Sequence, residues 1–270
     1  MSRSISTAEI KAYEKDGVVL IRNILTADEV ADLRDGIELN IANPSELAQV
    51  ASNESDPGWF FEDFCTWQEN PAYQRIIFES DLAEVASKLM CSKQVRLFHD
   101  HMLVKNKGTL QRTPWHQDLP YYNIQGRQNI SFWIPVDPVP FAWSLEFAAG
   151  SHRDSWYLPR TFLKKQAKWF PEGSLEEAPE IGVDPDNSRV LSWELEPGDA
   201  VAFHMLTLHA GAGAEDLRRV FSVRMIGDDI LHAPREWRTS PEFPGLSEQL
   251  PAGVPMDHKF FPLTWPKHKN

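Results

Sequence analysis

The chain has 270 residues, a net charge of −12 and 42% hydrophobic residues. An acidic chain without a long basic tract does not suit a nucleic acid or an anionic membrane surface as a partner. No apolar run approaches the roughly 20 residues that cross a bilayer, and the N-terminus lacks the apolar core of a signal peptide. Two cysteines, Cys65 and Cys91, give neither a disulfide framework nor zinc-type spacing. We therefore predict reduced thiols in a cytoplasmic protein.

The beginning of the chain is predicted to be mainly helical. Ser6 and Glu9 have the spacing of a capping box, and Thr26 and Glu29 repeat it, so a helix should follow each pair. The β-branched run "GVVLIRN" between them predicts a strand. Apolar residues at helical spacing predict one further helix over residues 71–91.

Short apolar segments broken by Gly, Pro and Asp follow from residue 94, which is typical of an antiparallel sandwich or barrel. The tail is rich in prolines and aromatic rings, so we expect it to pack on the body of the protein. These features predict a single domain over residues 1–270. Its parts are a helical support in 1–93, a β core in 94–232 and a packed C-terminal segment in 233–270.

The stretch "TPWHQDLPYYN" contains two candidate metal ligands, His116 and Asp118. If both lie on a strand, residues two apart share a face, so an imidazole and a carboxylate would point at one place. A further histidine, either His204 or His209, would complete the two-histidine, one-carboxylate face that leaves positions open on Fe(II). The glycines after His209 favour a close approach of backbone there, whereas His204 beside Phe203 is expected to be structural.

An arginine heads the segment "RRVFSVRMIGDD", nine residues after His209. Arg218 in such a place is best explained by a bidentate contact with a bound carboxylate, such as that of 2-oxoglutarate. We interpret Arg219 and Arg224 as surface charges or salt-bridge partners.

Several further side chains are candidates for a substrate pocket. His99 and His101 would share a strand face with Lys105, although a packed or surface role fits them equally well. Trp115, Tyr121 and Tyr122 flank the ligands and either wall the pocket or pack within the barrel. The basic segment 160–168 is interpreted as a solvated helix face, with a lid over an anionic substrate as the alternative.

The segments "TPWHQDLPYY", "FWIPVDPV", "LEFAAGSH", "PGDAVAFH" and "RRVFSVRMIGDD" together resemble the phytanoyl-CoA dioxygenase family of iron- and 2-oxoglutarate-dependent oxygenases, in consistent order between Arg96 and Asp229. The resemblance implies a mainly β fold with flanking helices and a double-stranded β-helix (jelly-roll, cupin-like) core. It implies a metal triad of His116, Asp118 and His209. It also implies a 2-oxoglutarate site with Arg218, Lys105 and Trp133.

The sequence departs from the family at two points. His209-Ala210-Gly211 replaces the usual His-Gly-Ser or His-Gly-Ala. The gap between the distal histidine and the arginine is shorter than the common family spacing by about two residues, so Arg219 stays an alternative to Arg218.

The resulting prediction is a dioxygenase with Fe(II), 2-oxoglutarate and O2, which hydroxylates an unactivated C–H bond of a small organic substrate and releases succinate and CO2. One alternative is a metal-dependent hydrolase or isomerase on a similar barrel, in which zinc uses the same ligands. Another is a metal- or small-molecule-binding protein without turnover. Arg218 and Lys105 favour the oxygenase because a hydrolase has no need of them. Asp118 argues against a halogenase, in which chloride takes the place of the carboxylate.

Overall fold

The computed structural model of the protein describes residues 3–52, 55–159, 171–179, 181 and 189–267. The basic segment 160–168 lies outside these residues. The helices are α1 (Thr7–Asp16), α2 (Ala27–Ala42), α3 (Pro71–Phe78), α4 (Leu82–Met90) and α5 (Leu246–Gln249). The strands are β1 (Val18–Ile21), β2 (Gln49–Val50), β3 (Phe60–Phe64), β4 (Val95–Lys105), β5 (Thr113–His116), β6 (Ile124–Gln125), β7 (Asn129–Pro135), β8 (Leu145–Ala148), β9 (Val190–Leu191), β10 (Ala200–Phe203), β11 (His209–Gly211), β12 (Arg218–Ile226), β13 (Leu231–His232) and β14 (Leu263–Trp265).

The N-terminal helices begin where the sequence predicts. Ser6 caps α1 and Thr26 caps α2, each in a complete capping box with the glutamate three residues later. The prediction of one helix over 71–91 was wrong, because α3 and α4 are separate. The Ser80 hydroxyl donates to the Ile76 carbonyl and accepts from the Leu82 amide, so this side chain ends one helix and begins the next.

Two antiparallel sheets form the core, as the prediction of a jelly-roll requires. The larger sheet has the order β1-β10-β7-β12-β4-β3-β2, with β14 also paired to β4. The smaller sheet has the order β5-β11-β8-β9. Strands distant in sequence are neighbours in both, which is the double-stranded β-helix arrangement. The predicted fold class is confirmed.

The outer face of the larger sheet carries the helices. Phe221, Val223 and Phe132 are fully buried there in one apolar cluster with residues of α2, α3 and α4. Tyr73 of α3 stacks on Phe221 with ring centroids 4.1 Å apart. Because residues of a strand alternate between faces, the neighbours of these apolar residues must point into the barrel.

The inner face is organised in rows that run across β4 and β12. Their register pairs Lys105 with Arg218, Leu103 with Val220, His101 with Ser222 and His99 with Arg224. Polar rows therefore lie at both ends of the inner face, and an apolar row separates them. This register places the candidate site residues.

The C-terminal segment returns to the same sheet. β14 pairs with β4, and Phe243, Leu246 and Phe261 cluster around Phe98. Both cysteines are free thiols. None of the helices in the described part of the chain is long and apolar enough to span a membrane.

Candidate metal centre

His116, Asp118 and His209 meet at one point inside the barrel. Each offers one ligand atom, and these atoms all lie within 4.8 Å of one another. Nε2 of His116 is 3.6 Å and Nε2 of His209 is 3.7 Å from the same oxygen, Oδ1 of Asp118. Two imidazole nitrogens and one carboxylate oxygen converge, which is the donor set of a facial Fe(II) site.

Strand pairing brings the histidines together, but a turn brings the aspartate. His116 ends β5 and pairs directly with His209 of β11. Asp118 lies past the end of the strand, in the right-handed helical region, so the expectation that both ligands of the H-x-D pair share a strand face was wrong. The amides of Asp118 and Leu119 both donate to the Met205 carbonyl, and this contact turns the carboxylate toward the histidines.

The hydrogen bonds of the two histidines and the charge of the aspartate suit a metal. Nδ1 of His116 lies 2.8 Å from the Pro114 carbonyl, and Nδ1 of His209 lies 2.9 Å from the Thr207 carbonyl. When each Nδ1–H donates to its carbonyl, Nε2 of the same ring has a lone pair to offer a metal. Burial, and to a smaller extent the nearby His116, lower the pKa of His209 to about 3. Burial alone would raise the pKa of Asp118, but Arg224 and the two histidines hold it well below its usual range. Neutral imidazoles and an ionised carboxylate are the forms that bind iron.

Arg224 is not a surface charge, contrary to the interpretation from sequence. It is 6% exposed, and its Nη2 donates to Oδ2 of Asp118 at 3.3 Å, so only the salt-bridge part of that interpretation holds. The Tyr122 hydroxyl interacts with the same guanidinium. Because Oδ1 faces the histidines and Oδ2 faces Arg224, the arginine orients Asp118 to offer one oxygen to a metal.

The opposite end of the inner face carries the residues predicted to bind 2-oxoglutarate. Arg218 is buried, and its guanidinium donates to the Trp143 and Ala212 carbonyls. Its Cζ lies 5.6 Å from the centre of the Trp133 ring. Burial lowers the pKa of Arg218 to about 10, so the side chain stays cationic. No carboxylate of the described residues pairs with it, and a bound anion would supply that charge.

Lys105 lies beside Arg218, as their register requires. Its Nζ donates to the Gln111 and Ala212 carbonyls and lies 4.6 Å above the Phe60 ring. Burial and the charge of Arg218 lower the pKa of Lys105 to about 6. The lysine is therefore mostly neutral near pH 7 when no anion is bound.

Arg219 points out of the barrel. It forms ion pairs with Asp137 and Glu38 on the helix side of the sheet. Of the two neighbouring arginines, Arg218 is thus the one that reaches the interior. The salt-bridge interpretation of Arg219 is confirmed.

The candidate pocket residues occupy different places. His99 and His101 lie on the inner face, and His101 contacts Oε2 of Glu62 at 3.2 Å. Tyr122 packs against His99, while Tyr121 meets the His116 ring edge-on at 6.3 Å. Trp115 is half-buried and alternates with His116 on β5, so it faces the other side of that strand. Their roles toward a substrate stay predictions.

One wall of the interior was missed in the sequence. Phe60, Glu62 and Phe64 of β3 pair with β4 and line the same face, and Phe64 stacks on His101 at 4.0 Å. The aromatic-rich run "FFEDF" is a signal for this strand. Each face of this strand carries both phenylalanine and an acidic residue, so the pattern does not show which face lies inside the barrel.

Comparisons with known proteins agree with this geometry. The sequence model of the family described as phytanoyl-CoA dioxygenase (PhyH) matches residues 13–220. A probable phytanoyl-CoA dioxygenase of Caenorhabditis elegans is 28% identical, with 84% of this chain and 77% of that protein covered.

Two solved structures share the fold. One is SnoK, a non-haem α-ketoglutarate-dependent carbocyclase from nogalamycin biosynthesis, with a TM-score of 0.75, 19% identity and 96% of each chain covered. The other is the epimerase SnoN in complex with Fe3+, α-ketoglutarate and nogalamycin RO, with a TM-score of 0.73, 21% identity, and 95% of this chain and 97% of that chain covered. The family match covers most of the chain, so the protein belongs to the phytanoyl-CoA dioxygenase family, whose chemistry is that of iron- and 2-oxoglutarate-dependent oxygenases.

Proposed function

We propose that the protein hydroxylates an unactivated C–H bond of a small organic substrate, with 2-oxoglutarate converted to succinate and CO2. The observation that carries this proposal is the pairing of two sites on one buried face. A His-Asp-His cluster lies near one end of the inner face, and Arg218, a buried cation, lies at the other end without a described carboxylate partner. A dicarboxylate that chelates a metal at one end would have its other carboxylate free to bind Arg218.

His116, Asp118 and His209 would hold the iron. Bound iron with 2-oxoglutarate supplies the activation of O2 and the oxidising power of this class of enzyme. These side chains approach from one side, so they would leave other positions of the ion open to small molecules. Arg224 contacts Oδ2 of Asp118 and would keep Oδ1 directed at the metal.

Arg218 would bind the carboxylate of 2-oxoglutarate that is remote from the metal. Its two backbone contacts fix the guanidinium, so the forked donors are oriented before the ligand enters. Lys105 adds a donor beside it, and Trp133 covers the guanidinium. These residues also argue against the hydrolase alternative, because hydrolysis by a zinc-bound water does not need a buried cation at the other end of the sheet.

Isotope labelling under 18O2 tests the proposal. The iron-loaded protein is incubated with 2-oxoglutarate and a panel of candidate substrates, and succinate and product masses are measured. We expect succinate to form in step with a product that gains one 18O atom. The variant Arg218→Ala, tested at the same 2-oxoglutarate concentration, is the matched control and should give neither.

Two results would contradict hydroxylation. Substrate-dependent succinate with an unlabelled product would assign another oxidation, of the kind named for the carbocyclase or the epimerase. Absence of 2-oxoglutarate binding to the iron-loaded protein would replace the oxygenase with a hydrolase or a binding protein.

A further inference from the structure

One row of the inner face carries polar atoms that neither metal nor cosubstrate binding uses. Here it is called the Arg224 row, and it consists of His99 of β4, Arg224 of β12 and Ser131 of β7. Arg224 pairs in register with His99 on one side and with Ser131 on the other. The three residues are 2%, 6% and 0% exposed.

The polar atoms of this row are unusual for a protein interior. Nε and Nη1 of Arg224, Nε2 of His99 and Oγ of Ser131 are all buried without a hydrogen-bond partner among the described residues. Buried polar groups in proteins are nearly always paired, and an unpaired group is costly. Four such atoms on adjacent side chains beside a metal cluster indicate a site built for a ligand.

The charge of the row defines the kind of ligand. Among the described residues, Asp118 is the carboxylate that contacts Arg224. When a metal is bound, the negative charge of Asp118 is shared between the metal and Arg224. Arg224 is permanently cationic, and burial together with the Arg224 charge holds the pKa of His99 well below its usual range. The loaded site therefore presents a buried cation beside a neutral imidazole.

Hydrogen-bond polarity refines this description. Nδ1 of His99 lies 3.1 Å from the Asp100 carbonyl and donates to it, so Nε2 is an acceptor. Nε and Nη1 of Arg224 are donors beside the Tyr122 hydroxyl, and the Ser131 hydroxyl can donate as well. The row thus offers donors to an anion and one acceptor to a neighbouring donor.

We propose that the Arg224 row binds a carboxylate of the organic substrate, with a hydroxyl or ammonium group on the adjacent carbon directed at His99. This inference rests on the proposed function and specifies its substrate class as 2-hydroxy or 2-amino carboxylates. Two rows, Leu103 with Val220 and His101 with Ser222, lie between the Arg224 row and Arg218. Substrate and 2-oxoglutarate would therefore each have a cation of their own.

Binding of a minimal probe tests the inference without turnover. The zinc-loaded protein is saturated with 2-oxoglutarate, so that Arg218 is occupied, and titrated by calorimetry with glycolate or with glycolamide. The two probes have similar size and the same hydroxyl, but only glycolate is an anion. We expect glycolate to bind at least about tenfold more tightly, because charge-assisted hydrogen bonds are the stronger ones. Arg224→Gln should remove this preference.

Three further measurements make the test specific. Ser131→Ala should weaken glycolate binding and leave the affinity for 2-oxoglutarate unchanged, and it keeps Arg224 paired with Asp118 if Arg224→Gln folds poorly. Arg96→Gln removes an arginine of β4 that pairs with Asp257 outside the row, and it should retain the full preference. Acetate, which lacks the hydroxyl, should bind more weakly than glycolate.

The contrary outcomes are equally defined. Equal binding of glycolate and glycolamide, no binding of either, or a preference that survives Arg224→Gln would overturn the inference. Equal binding of acetate and glycolate would remove His99 from the subsite. The charge-transfer band of the Fe(II) protein with 2-oxoglutarate reports the proposed function separately. A protein that shows the band but no preference for the acid loses only this inference, whereas one without the band loses the proposed function.

Discussion

Arg218 and Lys105 stand directly opposite each other on β12 and β4, so two basic side chains lie side by side in the barrel interior. Both donate to the same backbone carbonyl, that of Ala212. Arg218 is cationic and has no carboxylate partner among the described residues, so a bound anion would lie beside both basic side chains. The first two predictions follow from this pair.

Arg218→Ala should weaken 2-oxoglutarate binding by roughly thirty-fold to a thousand-fold, from about 2–4 kcal/mol at about 1.4 kcal/mol per tenfold. Arg218→Lys should recover only part of the loss, because an ammonium cannot make the forked contact. Anaerobic titration of the Fe(II) protein, followed by the charge-transfer absorption, measures both. Arg219→Ala is the control and should change the affinity little, since Arg219 is paired with Asp137 outside the barrel. If Arg219→Ala weakened 2-oxoglutarate binding more than Arg218→Ala, Arg219 would be the residue that binds the carboxylate.

Lys105 should take up a proton when 2-oxoglutarate binds. Its pKa of about 6 in the free protein leaves it mostly neutral at pH 7.5, and a nearby carboxylate favours the charged form. Calorimetry in two buffers of different ionisation enthalpy measures the uptake, which Lys105→Met should abolish. The folded pKa lies below the unfolded value of about 10.4, so the unfolded chain holds the extra proton. Lys105 should therefore make the free protein more stable as pH rises above about 6, and proton release on binding would contradict this account.

His116→Ala and His209→Ala should each lower the affinity for Fe(II) by at least about a hundred-fold, since removal of even an outer partner of a metal ligand costs up to that much. Equilibrium dialysis under anaerobic conditions gives the stoichiometry and the affinity. His258→Gln removes a histidine that contacts Gln249 far from the cluster in sequence and should bind iron like the wild type. Unchanged iron binding in both alanine variants would refute the triad.

Asp118→Gly should remove hydroxylation and make iron binding dependent on chloride. The substitution leaves two histidines and the buried cation Arg224, which loses its described carboxylate partner. A chloride ion can then replace the missing negative charge next to the metal. Iron affinity measured with and without chloride, at constant ionic strength, checks this prediction. Full hydroxylase activity in the variant would show that Asp118 is not a ligand.

Gly17→Ala should destabilise the fold by at least about 2 kcal/mol and also weaken iron binding. Gly17 has a φ of +74°, and an added Cβ would lie 2.3 Å from Nδ1 of His152. Its carbonyl accepts from the His204 amide and the Thr207 hydroxyl, and the Thr207 carbonyl orients His209. Thermal unfolding and iron titration measure the two effects.

Gly253→Ala is the matched control for backbone strain. Gly253 has a φ of +77°, but nothing lies within 4 Å of an added Cβ. It should lose only the stability that a positive φ costs, about 1–2 kcal/mol, and bind iron normally. Equal behaviour of the two variants would show that the contacts of Gly17 do not matter to the metal centre.

Strands and capped helices were predictable because their signals are local. Alternation within ten residues or capping-box spacing is enough to place β4, β12, α1 and α2. The division between α3 and α4 was not predictable from periodicity, because Ser80 bonds to the backbone and interrupts a pattern that stays apolar on both sides.

The candidate site was predictable in its residues but not in its arrangement. Asp118 reaches the metal cluster through a turn held by the Met205 carbonyl, and no nearby sequence signal shows that contact. Arg224 could have been placed: if Arg218 faces inward on a strand, period two puts Arg224 on the same face. Its pairing with His99 depends on the register of two distant strands, which local patterns do not determine.

The pairing of β1 with β10 has a consequence for how the protein is made. Val18 pairs with Phe203, so an early strand of the chain has no partner until most of the chain has left the ribosome. The metal cluster likewise waits for His209. Contacts of such long sequence separation predict slow folding. The apolar face of β1 stays uncovered during synthesis, which makes the nascent chain prone to aggregation. A fragment that ends before β10 should accumulate as aggregate, whatever the stability of its helices.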